Sequence, residues 1–132
     1  MAQHPNVELV RRGYAAFAAL DLDGALQDLA DDVLWHAGGD GPLSGDYKGK
    51  QAVSDFFVKI FEFTGGTIRF DVVDIFADDH HAVVRAHETA TRARDGASLE
   101  MDEAHVFHLR DGKVVEFWDL PDDPPVHDGF FT

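Results

Sequence analysis

The sequence predicts an α+β domain in which a long antiparallel sheet curls around helices that precede it in the chain. Three observations predict it. Apolar residues recur at helical spacing early on (Val7, Val10, Tyr14, Phe17, and later Val53, Phe56, Phe57, Ile60, Phe61), they alternate at strand spacing in the second half, and an Asp-Gly pair separates the last two alternating runs. Helices grouped before an antiparallel sheet pack on one of its faces. A strongly twisted sheet of this kind leaves a deep pocket between itself and the helices, lined by inward-pointing strand residues.

The elements follow in chain order. Pro5 suits a first helical position, where its missing N–H would be unsatisfied anyway, and the apolar spacing carries that helix to roughly Leu20. Asp21-Leu22-Asp23-Gly24 interrupts it. A second short helix, with an Asp as N-cap, is expected to bury Ala25, Leu26 and Leu29 and to end at Asp31-Asp32. Val33 to Ala37 reads as a short strand, and Gly38 to Gly49, where Leu43 and Tyr47 are the only large apolar groups, as a loop over a site or an edge. Lys50 to Phe63 is a helix with one apolar stripe, closed by Gly65-Gly66.

Four strands are then expected as a meander: Thr67 to Phe76, His80 to Ala93, and the two arms of a hairpin from Met101 to Leu120 that turns at Arg110-Asp111-Gly112-Lys113. The segment 121–125 cannot continue a central strand, because its three prolines remove ladder donors. Phe130 and Phe131 beyond it are expected to cover a pocket mouth or to dock on a second subunit. The whole is three helices and a short strand, then four antiparallel strands.

A length of 132 residues allows one domain, 1–132, with a real core. With 11 Lys plus Arg against 25 Asp plus Glu the formal charge is −14, which repels phosphate backbones and anionic lipid and argues against nucleic-acid and membrane partners. The absence of cysteine excludes disulfides and thiolate metal sites. No basic stretch followed by an apolar run opens the chain and no long apolar segment occurs in it, so a cytoplasmic protein is expected.

Alternation sorts the hairpin by face. Met101, Glu103, His105, Phe107 and Leu109 share one side of the first arm, and Val115, Phe117 and Asp119 share one side of the second. Ionisable groups on apolar faces are candidates for chemistry. Asp119 reads as a general acid/base whose pKa burial would raise, or as a strand-end residue capping the turn into Pro121. His105 reads as the group that orients or protonates a substrate oxygen, or as a buried histidine satisfied by Glu103. Glu88 lies on the apolar side of its strand with Ala82, Val84, Ala86 and Ala90, while a bulge would turn His87 inward instead. Trp35 is an aromatic wall or core, Tyr14 and Tyr47 are possible O–H donors to the pocket, and Trp118 faces outward beside Asp119 and suits a dimer interface.

Neither His80-His81 nor His105 and His108 can chelate from one face, so no metal is expected. No phosphate loop, nucleophile elbow or dinucleotide fingerprint occurs, and nothing asks for a cofactor.

The runs Arg12-Gly13-Tyr14-Ala15-Ala16-Phe17, Asp21-Leu22-Asp23-Gly24, Leu29 to Val33, Ser44 to Val53 and Arg110 to Asp119 together resemble the SnoaL-like and ketosteroid-isomerase-like branch of the nuclear transport factor 2-like superfamily. The resemblance implies a cone-shaped sheet around three helices, and homodimers formed through the outer sheet face. It also implies a pocket for a small-molecule ligand or substrate, in isomerases, cyclases, hydrolases, dehydratases and binding proteins alike. The steroid-isomerase roles are not kept by type: the base position falls on Ala37, the tyrosine position on Gly13, one residue before Tyr14, and the second Asp position on His105. The cyclase pattern of a His on the penultimate strand and an Asp on the last matches His105 and Asp119. The resemblance thus implies cofactor-independent acid/base chemistry on a small, largely apolar carbonyl compound, with Asp119 and His105 as catalytic pair and Glu88 or His87, Trp35, Tyr14, Tyr47, Phe107 and Phe117 shaping the site. The alternative is a non-catalytic binding dimer using the same pocket.

Overall fold

The computed structural model describes residues 3–132. The chain order is α1 (Pro5–Ala18), α2 (Leu22–Leu26), β1 (Leu29–Ala37), β2 (Gly45–Lys48), α3 (Lys50–Thr64), β3 (Arg69–Ala77), β4 (His81–Thr91), β5 (Ser98–Arg110), β6 (Lys113–Pro121) and α4 (Pro124–Phe130). The strands form one curved six-stranded sheet in the order β2-β1-β6-β5-β4-β3, and the sheet does not close on itself. The α+β class and the four-strand meander are as the alternation pattern implies.

Local chemistry sets the boundaries. Pro5 stands at the first turn of α1, behind His4, whose Nδ1 accepts from the Asn6 amide. Asp21 caps α2 by accepting from the Gly24 amide. The β5–β6 hairpin pairs Arg110 with Lys113 across Asp111 (φ 53°) and Gly112 (φ 74°). Positive φ at both central residues is the turn whose twist matches the strands it joins, which is why Asp-Gly marks it in the sequence.

Three expectations change. Leu29 belongs to a strand and not to the second helix, because Leu29 pairs with Val114 of β6, and β1 runs on through Asp31 and Asp32, across a shift of register, to Leu34 opposite Glu116. Part of the expected 38–49 loop is the edge strand β2, whose Tyr47 pairs with Trp35. A fourth helix, α4, follows the proline segment, with Asp123 as N-cap accepting from the Val126 amide.

Face assignment holds along β5, where Met101, Glu103, His105, Phe107 and Leu109 are all buried. On β6 it shifts once. The register slips between His108 and Leu109, leaving Val115 as the extra residue, so Val114 takes the inward place expected of Val115 while Phe117 and Asp119 keep theirs.

Helix α3 packs on β1 and β2, α1 on β3 and β4, and α4 on β5. One core cluster joins Leu9, Val10, Val33, Trp35, Val53, Phe57, Phe107 and Phe117, and a second joins Ile60, Ile68, Leu99, Met101, Phe130 and Phe131. No helix among the described residues is long and apolar enough to cross a membrane.

Candidate functional site

The sheet and helices enclose a pocket of about 1130 Å³ of non-atom space, counted to its open mouth. Its wall is aromatic. Trp35 and Phe117 are register partners on β1 and β6 and stack with ring centroids 3.7 Å apart, and Phe107, Phe70 and Phe57 continue the surface. Such a wall favours a flat apolar ligand over a strongly hydrated one.

The polar end of the pocket is built from register pairs. His105 of β5 lies directly across from Asp119 of β6, and on the other side β4 sets Ala86 opposite Glu103 and Glu88 opposite Met101. Tyr14 of α1 completes the group: its hydroxyl is hydrogen-bonded to Nδ1 of His105. On the other ring nitrogen, Nε2–H donates to Glu103 Oε1 at 2.9 Å, and Asp119 Oδ1 lies 3.3 Å away in ion contact without an aligned hydrogen bond. Both nitrogens of His105 are therefore engaged within the protein.

Burial alone would lower the His105 pKa, but Tyr14 and the Asp119 carboxylate outweigh it and lift the value to about 10. The ring is an imidazolium at neutral pH, so Nδ1–H donates to the Tyr14 oxygen. Burial raises the Tyr14 pKa above its ordinary 10.0, against the pull of His105, so the phenol keeps its proton. Burial would also raise Asp119, yet the adjacent His105 overrides it and holds the carboxyl below its usual value. This reverses the expectation of a raised Asp119 pKa. The raised carboxyls are Glu103, pushed up mainly by burial to about 9, and Glu88, raised well above its usual value by burial and then by Glu103.

Tyr14, Trp35, Glu88, His105, Phe107, Phe117 and Asp119 all line the pocket. Two expected residues do not. Tyr47 packs its ring on Phe56 and donates its hydroxyl to the Leu43 carbonyl at 2.7 Å, outside the lining. His87 points to the outer face, bonded to Asp102 at 2.8 Å and Glu100 at 3.0 Å, because β4 runs without a bulge opposite β5 and parity keeps Glu88 inward.

Sequence reasoning missed His127. It comes from α4, and its Nε2 lies 3.6 Å from Glu88 Oε1 and 3.4 Å from Glu103 Oε2. An N-cap Asp followed by two prolines was the available signal for that helix. Phe131 at its end lines the pocket, and both Phe130 and Phe131 are buried in the second core cluster.

The model of the SnoaL-like domain matches residues 10–117. The structure of Bal32a, from a soil-derived mobile gene cassette, is 30% identical, covers 96% of each chain and superposes with a TM-score of 0.90. An NTF2-like protein of unknown function from Burkholderia pseudomallei is 27% identical over 98% of this chain and 99% of its own, TM-score 0.83. TerC, co-crystallized with polyporic acid, is 25% identical over 98% of this chain and 100% of its own, TM-score 0.84.

Proposed function

Because this chain belongs to the SnoaL-like domain family, within the nuclear transport factor 2-like superfamily, we propose that it is an acid/base enzyme of the cyclase, isomerase or lyase type. Its substrate is a small, largely apolar carbonyl compound lying flat against Trp35 and Phe117. The observation that carries the reading is the chain Tyr14–His105–Asp119 at the polar end of an aromatic pocket.

In this reading Asp119, kept ionised by its neighbour, is the base that takes a proton from carbon next to the carbonyl. Tyr14 accepts from the imidazolium and so has its own O–H free to donate to the carbonyl oxygen as negative charge develops there. His105 acts through Tyr14, because neither ring nitrogen is left for substrate. Proton removal at one site and hydrogen-bond donation at another is enolisation, the step that cyclisation, isomerisation and elimination share. The co-crystallization of TerC with polyporic acid supports a ligand-holding pocket in this fold.

The test is Asp119→Asn with Tyr14→Phe beside it, assayed on a panel of cyclic ketones for exchange of α-hydrogens into deuterated water. Exchange by the parent chain that falls by roughly 10²–10⁴ in Asp119→Asn supports the reading, in line with what a positioned acid or base contributes. Ligand binding without exchange would instead make the protein a binding module that uses the same pocket.

The proposal includes a cytoplasmic homodimer. On the outer sheet face His36, Trp118, Val106, Val83 and Phe76 are successive cross-strand partners, forming one row over five strands. Phe76 is 60% exposed and Val83 37%, an apolar row that a second copy would cover.

A further inference from the structure

The pocket holds a second group that the acid/base reading leaves unused. Glu88 and Glu103 are 2% and 5% exposed, and Glu88 Oε1 and Glu103 Oε2 receive no hydrogen bond from the rest of the chain, the two carboxyls standing against each other. His127 Nε2 faces both, at 3.6 and 3.4 Å. These separations are long for hydrogen bonds, whose donors and acceptors normally sit at about 2.7–3.2 Å. They are the right length for something else. Ligands held at about 2.1 Å in a tetrahedron around one ion stand roughly 3.4 Å from each other.

Two histidine clusters on the outer face make the contrast. His36 lies 2.7 Å from Asp46 and 2.6 Å from Glu116, and His87 lies 2.8 Å from Asp102 and 3.0 Å from Glu100. Those are closed hydrogen-bonded pairs on the outer face. At Glu88, Glu103 and His127 the three donor atoms lie within 4.8 Å of one another, and two of them are buried carboxyl oxygens that receive no hydrogen bond from the rest of the chain.

We propose that Glu88 Oε1, Glu103 Oε2 and His127 Nε2 form a site for one divalent first-row transition ion, of which Zn²⁺ is the type. One nitrogen and two carboxylate oxygens suit such ions, whereas Ca²⁺ takes six to eight oxygens. Three protein ligands leave a fourth position, the arrangement of zinc sites that act on substrate. All three side chains line the pocket, and so does Asp119, whose Oδ1 makes the 3.3 Å ion contact with His105. The ion would sit beside the His105–Asp119 pair, since Glu103 also accepts from His105. The site goes beyond the acid/base reading and does not depend on it.

The experiment is a titration of chelator-treated full-length protein with Zn²⁺ and Co²⁺, followed by calorimetry and by the visible absorption of bound Co²⁺. One ion per chain is expected, with the intense Co²⁺ bands of a tetrahedral site. Glu88→Gln and His127→Ala should each weaken binding by at least roughly 100-fold, the upper end of what outer-sphere changes alone cost. His36→Ala, a control for the acidic surface, should leave it unchanged. The proposal is overturned by absence of stoichiometric binding to the folded protein, by binding that survives both substitutions, or by binding lost only with His36. His127 is on a short, partly exposed helix, so His127→Ala keeps the test decisive should Glu88→Gln fail to fold. Stoichiometric metal binding by a parent chain that catalyses no α-hydrogen exchange would sink the acid/base reading alone.

Discussion

Tyr14 and His105, 91 residues apart, are hydrogen-bonded hydroxyl to Nδ1, which ties the first helix to the middle of the fifth strand at the polar end of the pocket. Tyr14→Phe keeps the ring and removes only that link. Stability is expected to fall by about 1 kcal/mol, the usual net worth of such a bond. The His105 pKa should drop from about 10, because Tyr14 is one of the groups that raise it. An NMR titration of the imidazole reads this directly, and an unchanged value would remove Tyr14 from the chain.

Stability should decline as the solution becomes alkaline. Folded His105 keeps its proton to about 10, against 6.5 for the ordinary ring, and folded Glu103 keeps its proton to about 9, against 4.5. Between those limits the folded chain binds more protons than the unfolded one, so raising the pH favours unfolding. The contribution of His105 is complete below pH 6.5 and is lost as pH passes through about 10. Asp119, with its lowered value, acts in the opposite sense only below its usual 3.8. Thermal melts of chelator-treated protein should show Tm falling steadily from pH 6.5 to pH 9; a rising Tm in that window contradicts the charge assignment.

Gly38 leaves no room for a side chain. A Cβ there would lie 2.3 Å from the Asp119 carbonyl oxygen, a backbone atom that cannot turn aside. Gly38→Ala is therefore expected to push the end of β6 outward, costing about 1–3 kcal/mol as overpacking does. Activity should fall more than stability explains, since Asp119 moves with its own backbone. Denaturant melts and rates measured on the same sample separate the two effects.

The outer row gives a further expectation. Val106 pairs with Trp118 on one side and with Val83 on the other. Val106→Glu sets a charge at the centre of that row without touching the pocket. Light scattering should find a dimer in the parent and a monomer in the variant, with the circular dichroism of both alike. A parent that is monomeric would contradict the proposed assembly.

Much of this was legible in the chain because strand parity is local. Alternation set Glu103, His105 and Phe107 on one face and Glu88 on an apolar one, with His87 as the alternative had β4 bulged, and Asp-Gly between alternating runs located the last hairpin. What escaped depended on partners distant in sequence. Asp31 and Asp32 look like a helix end until Leu29 and Leu34 on either side of them pair with β6, and Val115 loses its inward place to a register slip that only the ladder with β5 reveals. The sign of the Asp119 shift was equally hidden, because burial and the neighbouring imidazolium act in opposite directions and only the 3.3 Å contact decides between them. His127 escaped because it joins the pocket from a short helix with no periodicity of its own.

The parallel pairing of β1 with β6 carries a kinetic consequence. Trp35 meets Phe117 only after some 80 intervening residues have been gathered, so the aromatic wall is a contact of high sequence separation. The β3-to-β6 meander can form from neighbours, whereas the ladder that joins β1 and β2 to it must wait for a long loop to close. Refolding should accordingly be slow for a chain of this size, with Trp35 reaching its native fluorescence in the last phase and the ligand pocket absent until then.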